Sequence, residues 1–361
     1  MVRSIGWPIR RLPPGYFTLV MATGIVSIAS SLLGMPRTAW SLFSINILAY
    51  VLLWLLTLVR VAIYPDRIFC DLRSYYRGPG FLTIVAATCI LGSQFILLAN
   101  AYQAALGCWI VGIALWILIL YALFAAIATK QDKPGAQIVL HGNWLLPVVS
   151  TQSVAVLASL LAPIFPAWSK VLLFTAFCLF LLGGMLYIIF ITLIFQRLLL
   201  VPVTPAELTP YHWVDLGAVA ITVLAGSLIA QSASSLAFLQ QLLPFLLGMT
   251  YLFWITATWW LPLLVVLGIW RHLVRRYPIR YEPRYWDIVF PLGMYTASTL
   301  KLAEASHIPL EPISRTLIYV ALAAWTFTFL GLLYHVAGRA YWVRSIWSQH
   351  SRAEKRMGRP E

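Results

Sequence analysis

The sequence predicts an all-α, polytopic membrane protein with ten transmembrane helices, and three observations predict it. Of 361 residues, 61% are hydrophobic and only 10% are charged, whereas a water-soluble fold needs roughly a quarter charged residues to cover its surface. Ten separate stretches are long and apolar enough to cross a hydrocarbon core about 30 Å thick. The basic residues fall on alternate connections between those stretches, which is the pattern that orients helices in a bilayer.

The spans are expected at about 16–33, 39–63, 80–98, 104–128, 143–161, 169–195, 212–230, 245–269, 285–303 and 316–338. Residues 1–12 read as a cytoplasmic N-terminal segment, 13–340 as one transmembrane domain and 341–361 as a basic cytoplasmic tail. Arg3, Arg10 and Arg11 precede the first apolar run as they would in a signal peptide. However, Pro13-Pro14 intervenes and no small-residue cleavage site follows, so the run reads as a retained span. With the N-terminus inside, 21 of the 25 basic residues fall on inner segments, and only Arg37, Lys170, Lys301 and Arg315 fall outside. Losing one span would invert every later connection, so this asymmetry supports both the count of ten and two cytoplasmic termini. The expected location is a plasma or bacterial inner membrane.

Prolines recur where the odd spans begin: Pro14, Pro79, Pro147, Pro210 and Pro291. The period is about one helical hairpin, so the chain reads as five stacked hairpins. Pro147 and Pro291 fall inside their expected spans and are predicted to kink them, which a helix tolerates where neighbours or water satisfy the freed carbonyl. The odd spans are shorter than the even ones and richer in Ser, Thr and Gly, 23 of 94 residues against 20 of 125. Short, polar-tinged helices belong inside a bundle, and long greasy ones belong against lipid. Small residues also allow close helix packing.

Several function classes are poorly served by this sequence. The net charge of +14 follows the topology rather than a nucleic-acid patch. Cys70, Cys89, Cys108 and Cys178 lack disulfide or metal-site spacing, and no metal or cofactor is expected. The six histidines sit mostly near span ends or in connections, and none of the eleven carboxylates lies at the centre of a span, where a coupled cation carrier usually needs one. Asp215 and Asp287 stand at span starts, where a carboxylate caps or pairs. Movement of a small anionic solute fits this inventory better than chemistry, and no enzyme activity is expected. Thr23, Ser27, Thr88, Ser150, Ser153, Thr222 and Thr296 are the candidates to line a conduit with hydroxyl donors. Each could instead bond the carbonyl four residues back in its own helix.

Four motifs then become recognisable. Pro13-Pro14-Gly15-Tyr16-Phe17-Thr18-Leu19-Val20-Met21-Ala22-Thr23-Gly24-Ile25-Val26-Ser27 resembles the first span of the tellurite-resistance/C4-dicarboxylate transporter (TDT) family, related to plant slow-type anion channels and fungal malate permeases. Asn143–Gln152, Trp213–Ala218 with Leu224-Ala225-Gly226, and Trp286–Met294 are similar to its fifth, seventh and ninth spans. The resemblance runs from about residue 13 to 340. It implies five hairpins around a quasi-five-fold central pore, usually in a homotrimer, and transport of small anions or malate-like dicarboxylates, or efflux of sulphite- or tellurite-type oxyanions. It also implies a phenylalanine plug from the ninth span, for which Phe290 is the matching position.

A bulky ring closing a pore lined by small residues is the physical counterpart of that expectation. Lys301 lies eleven residues beyond Phe290, on nearly the same helix face and roughly 16 Å further out. Two readings fit it: an anion contact at the outer mouth, or a lysine paired with Glu304 three residues on.

Overall fold

The turns that open the five hairpins set the architecture. A computed structural model of the chain describes residue 10 and residues 12–135, 140–279 and 281–357, with side chains as far as 337. Its helices are α1 (Thr18–Leu32), α2 (Pro36–Ile63), the short α3 (Pro65–Leu72), α4 (Leu82–Leu97), α5 (Tyr102–Ala128), α6 (Leu146–Leu161), α7 (Ser169–Leu200), α8 (Val214–Gln231), α9 (Ala237–Ile269), α10 (Trp286–Ser306) and α11 (Glu311–Met357). A 3-10 turn leads into each of α1, α4, α6, α8 and α10: Pro14–Phe17, Gly78–Phe81, Gly142–Leu145, Pro210–Trp213 and Pro283–Tyr285. Proline suits these first positions because its φ is already helical and its missing N–H would have no partner there.

These five helices form a closed ring in which α1 packs on α4, α4 on α6, α6 on α8, α8 on α10, and α10 back on α1. Each is followed by a longer helix that packs against its outside, α2, α5, α7, α9 and α11 in turn. Each outer helix also touches the next inner helix, so α11 closes the circle against α1. In the spans built on α4, α6 and α8 about nine-tenths of residues are buried (89%, 94% and 94%), against 22% in those of α2, α5, α9 and α11. The short segments are therefore innermost, and the long ones carry the lipid-facing surface.

Among the described residues nine helices are long and apolar enough to cross a membrane on length and composition. The expected ninth span, α10, is not one of the nine; it carries Asp287, Lys301 and Glu304. Sixteen of its 21 residues are buried by α8, α11 and α1. A helix enclosed by protein need not be as apolar as one facing lipid.

Some boundaries differ from the sequence reading. α9 begins at Ala237 and takes Gln240, Gln241, Pro244 and Pro262 within one helix. Pro147 does not kink α6. It stands in the first turn, where its absent N–H breaks no helical bond. Pro291 does lie inside α10. The proline that opens the fifth hairpin is Pro283, which the sequence repeat had placed at Pro291. The backbone of 341–357 continues α11 as helix, while residues 1–9, 11 and 358–361 of the two expected terminal segments lie outside the described residues.

Polar ties hold the outer shell to the ring. Trp325 Nε1 of α11 donates to Thr23 Oγ1 at 3.0 Å, and Ser27 of α1 donates to the Ala39 carbonyl of α2 at 2.8 Å. Tyr50 of α2 bonds Thr88 of α4 at 3.0 Å, Trp116 of α5 donates to Thr151 of α6 at 2.8 Å, and Trp254 of α9 donates to Thr299 of α10 at 3.1 Å. Such interhelical bonds average about 0.6 kcal/mol each in a membrane. They give the hydroxyls of the short helices a structural role.

Candidate functional site

Two chambers lie inside the ring. The first, about 380 Å³, sits at the arginine-rich end and is lined by the starts of α1, α4, α6 and α10 and by the turns that lead into the inner helices, including Thr18, Thr83, Asn143, Leu146, Tyr211 and Asp287. The second, about 130 Å³, sits toward the opposite end and is lined by all five inner helices, including Ile25, Ile90, Ser153, Ile221, Met294 and Lys301. Along α1, α4, α6 and α10 the lining steps by seven residues from one chamber to the other: Thr18 to Ile25, Thr83 to Ile90, Leu146 to Ser153, Asp287 to Met294. Seven residues are two helical turns on one face.

The turn left between the chambers forms a waist. It holds Met21 and Ala22, Ala86 and Ala87, Val149 and Ser150, Gly217 and Ala218, and Phe290, all buried. Phe290 is three residues after Asp287 and four before Met294, hence on the face that lines both chambers. It supplies the only aromatic ring among these waist residues. Beside it on the neighbouring α8, a Cβ on Gly217 would lie 3.0 Å from Phe290 Cε1 and 2.9 Å from Pro291 Cγ. Only a glycine lets α8 approach that closely.

The first chamber carries paired charges. Arg77 Nη1 meets Asp71 Oδ1 at 2.7 Å, and Asp71 Oδ2 also takes the buried Arg60. The Arg284 guanidinium lies over the Tyr211 ring at 4.8 Å, with its Nε 4.0 Å from Glu282. Beside the chamber, His141 is stacked between Tyr76 at 4.7 Å and Tyr211 at 5.5 Å. A Cβ at the next residue, Gly142, would overlap the Tyr211 carbonyl, so only glycine allows this stack to close.

Burial above all, and then the neighbouring His212 and the cations Arg197 and Arg284, push His141 down from 6.5 to about 3. His141 is therefore neutral in the folded protein. Between pH 6.5 and about 3 the unfolded chain takes up a proton that the native state refuses, so folding stability falls as pH falls through that window. Thermal denaturation in detergent is expected to lose less midpoint over this range in His141→Gln than in the wild type. Equal pH slopes in the two proteins would refute the assignment.

The residues singled out in the sequence divide into three groups. Ser153 and Lys301 line the second chamber. Lys301 Nζ also meets Glu304 Oε2 at 2.7 Å, and Gln231 Nε2 reaches the same carboxylate at 3.3 Å. Ser150 lies at the waist and bonds the Pro147 carbonyl at 3.0 Å. Thr23, Ser27 and Thr88 are tied to outer helices, while Thr222 and Thr296 donate to the Ala218 and Leu292 carbonyls four residues back. None of these five is among the residues that line either chamber. Three lining serine or threonine residues were missed: Ser93 in the second chamber, and Thr18 and Thr83 in the first. Thr18 and Thr83 each donate to a carbonyl three residues back, on Gly15 and Gly80. The repeated Gly-x-x-Thr after the proline of the first two hairpins was the signal that could have found them.

His141, His212 and Asp215 gather near the first chamber, with His212 Nδ1 3.4 Å from Asp215 Oδ2. The pairing role expected of Asp215 is thus the one its geometry displays. Among the described residues no group of three His, Cys, Asp or Glu side chains could hold a metal ion.

The model of the voltage-dependent anion channel family, SLAC1, matches residues 11–333. The chain belongs to this family. It is 45% identical over 154 residues to an uncharacterized membrane protein of Mycobacterium tuberculosis, covering 42% of this chain and 77% of that one. It is 23% identical over 301 residues to an uncharacterized transporter of Methanocaldococcus jannaschii, covering 81% and 84% of the two chains. A sulfite efflux pump of Trichophyton rubrum is 23% identical over 352 residues, 90% of this chain and 91% of that one. The family is of transporter and channel type, in line with the expected membrane solute route.

Proposed function

We propose that this SLAC1-family protein is a transmembrane anion channel or secondary transporter in which Phe290 gates the passage between the two chambers. The observation that carries the reading is the position of Phe290 on the one face of α10 that lines both chambers, in a waist otherwise of small and aliphatic residues plus Ser150. Hydrophobic constrictions gate by excluding water, and an anion crosses only when the ring swings aside. The reading includes a homotrimer, carried from the resemblance, and both termini in the cytoplasm, supported by the distribution of basic residues.

The solutes proposed are small anions and malate-like C4-dicarboxylates. The waist residues carry no fixed charge to offset dehydration, and the penalty for placing an ion in a low dielectric rises with the square of its charge. Singly charged forms are therefore expected to pass and doubly charged forms to be held back. Proteoliposomes loaded with malate are expected to release it faster as external and internal pH are lowered together, in step with the hydrogen-malate fraction. A flux that instead follows the dianion would overturn this selectivity. The second reading, efflux of sulfite or a tellurite-type oxyanion, is favoured by the similarity to fungal sulfite efflux pumps along 90% of the chain. Reversal potentials with malate, hydrogen sulfite, tellurite and chloride exchanged one at a time separate the two readings. Equal permeation of cations, or no flux of any of these anions, would defeat both.

A further inference from the structure

A third cavity lies outside the ring, at the arginine-rich end, between the approach to α8, the end of α9 and the start of α10. It measures about 250 Å³. Its walls are mostly apolar, with Leu208, Leu264, Leu267, Ile279 and Ile288 among them, and it holds Arg271, His212 and His272.

The local backbone brings Arg271 there. After Ile269 the helix loosens into a π turn, Trp270–Val274, closed by the Arg275 N–H donating to the Trp270 carbonyl at 2.9 Å. Such turns shift the helix face by a fraction of a turn and recur at functional sites. Here the shift carries Arg271 inward: the residue is 7% exposed, on a helix whose neighbours Val265, Val266, Ile269, Leu273 and Val274 are exposed. Its guanidinium lies over the Tyr277 ring at 4.6 Å. Among the described residues it meets no carboxylate, and its Nε has no hydrogen-bond partner. A buried guanidinium without a counter-charge is costly, and a protein retains one where a ligand completes it.

A second orphan lines the same cavity. His212 is 4% exposed, and its Nε2 has no partner. Its Nδ1 faces the Asp215 carboxylate at 3.4 Å, so Nε2 is the ring nitrogen left to meet a ligand. His272 is already engaged through Nδ1 with the Tyr277 carbonyl at 2.9 Å. The cavity thus presents one cation without a carboxylate, one unpartnered imidazole nitrogen and an aliphatic wall continuous with the exposed apolar face of α9.

We propose that this cavity binds an anionic phospholipid with a hydroxylated headgroup, of the phosphatidylglycerol type, from the adjacent leaflet. Arg271 holds the phosphate, for which a guanidinium fork is well shaped. His212 Nε2 hydrogen-bonds a headgroup hydroxyl, and the acyl chain follows Leu264 and Leu267 toward the bilayer. The phosphate-and-chain combination decides against a free anion, because a soluble phosphate would leave the aliphatic wall unused.

The test is native mass spectrometry of the purified full chain titrated with phosphatidylglycerol, phosphatidylcholine or inorganic phosphate. The wild type is expected to retain one or more phosphatidylglycerol molecules in preference to phosphatidylcholine. Arg271→Gln is expected to weaken that binding about tenfold or more, as loss of a charged hydrogen bond does. Leu267→Trp keeps the guanidinium and fills the aliphatic wall, and it is expected to weaken binding as well. If Arg271→Gln unfolds the protein, Leu267→Trp alone decides. Equal retention of the two lipids, undiminished binding in a folded variant, or inorganic phosphate competing as well as the lipid does would each overturn the proposal. The readout involves no anion flux, so its failure leaves the transport reading standing.

Discussion

Replacing Phe290 by alanine is expected to raise anion flux through the protein about tenfold or more. Turning a buried ring some 30° off its rotamer costs about 0.5–1.5 kcal/mol, and stripping water from an ion at an uncharged waist adds to that. Each 1.4 kcal/mol removed from a barrier is about tenfold in rate. With the ring gone, the space it filled beside Gly217 is left to join the two chambers, and the dewetted segment shortens. Phe290→Trp keeps an aromatic barrier and is expected to stay at or below the wild-type flux. The measurement is current or tracer release from proteoliposomes at matched protein density. An alanine variant that folds and conducts no better than the wild type would remove Phe290 from the gate.

Much of the fold was legible in the sequence because its causes are local. Ten apolar stretches, the alternation of basic connections and the proline at each hairpin's start are all one-dimensional signals, and the ring of short helices follows from them. The misplacements came where tertiary enclosure relaxes a local rule. α10 carries the buried Asp287 because α8, α11 and α1 enclose it, while Lys301 and the exposed Glu304 pair with each other near its far end. Pro147 was read as a kink because the 3-10 turn Gly142–Leu145 looks like one more turn of apolar helix in sequence.

The lining of the conduit was less legible. Hydroxyl content marks the inner helices correctly, but it does not say which way a hydroxyl points. Thr23 and Thr88 turn outward to Trp325 and Tyr50, because tryptophan and tyrosine on the long helices bring polar atoms that hydrocarbon cannot satisfy, and Ser27 turns to the backbone carbonyl of Ala39 on α2. Only the partner's position reveals that, and the partner of Thr23 is 302 residues away. Ser153 and Lys301, by contrast, do line the second chamber.

Asp71 was not among the sequence candidates, yet its removal is expected to be among the most damaging single changes in the chain. Its two carboxylate oxygens bind Arg60 from the end of α2 and Arg77 from the turn that leads into the second hairpin, so one side chain on α3 fastens three segments. The side chains of Arg60 and Asp71 are 3% and 9% exposed, whereas that of Arg77 is 37% exposed. Asp71→Ala leaves the Arg60 charge buried, and among the described residues its remaining hydrogen-bond partner is the Arg10 carbonyl, 3.4 Å from its Nη2. Breaking a buried ion pair from one side costs about 3–5 kcal/mol, mostly for the charge left behind. Arg77, reaching water at the rim of the first chamber, contributes little to that penalty. The cause can be isolated, because removing both buried charges together restores a neutral interior. Arg60→Met with Asp71→Leu is expected to return the thermal midpoint in detergent close to the wild type, while Asp71→Ala alone lowers it sharply. If the double variant is as unstable as the single one, the penalty does not come from the stranded guanidinium, and α3 is held by its packing instead.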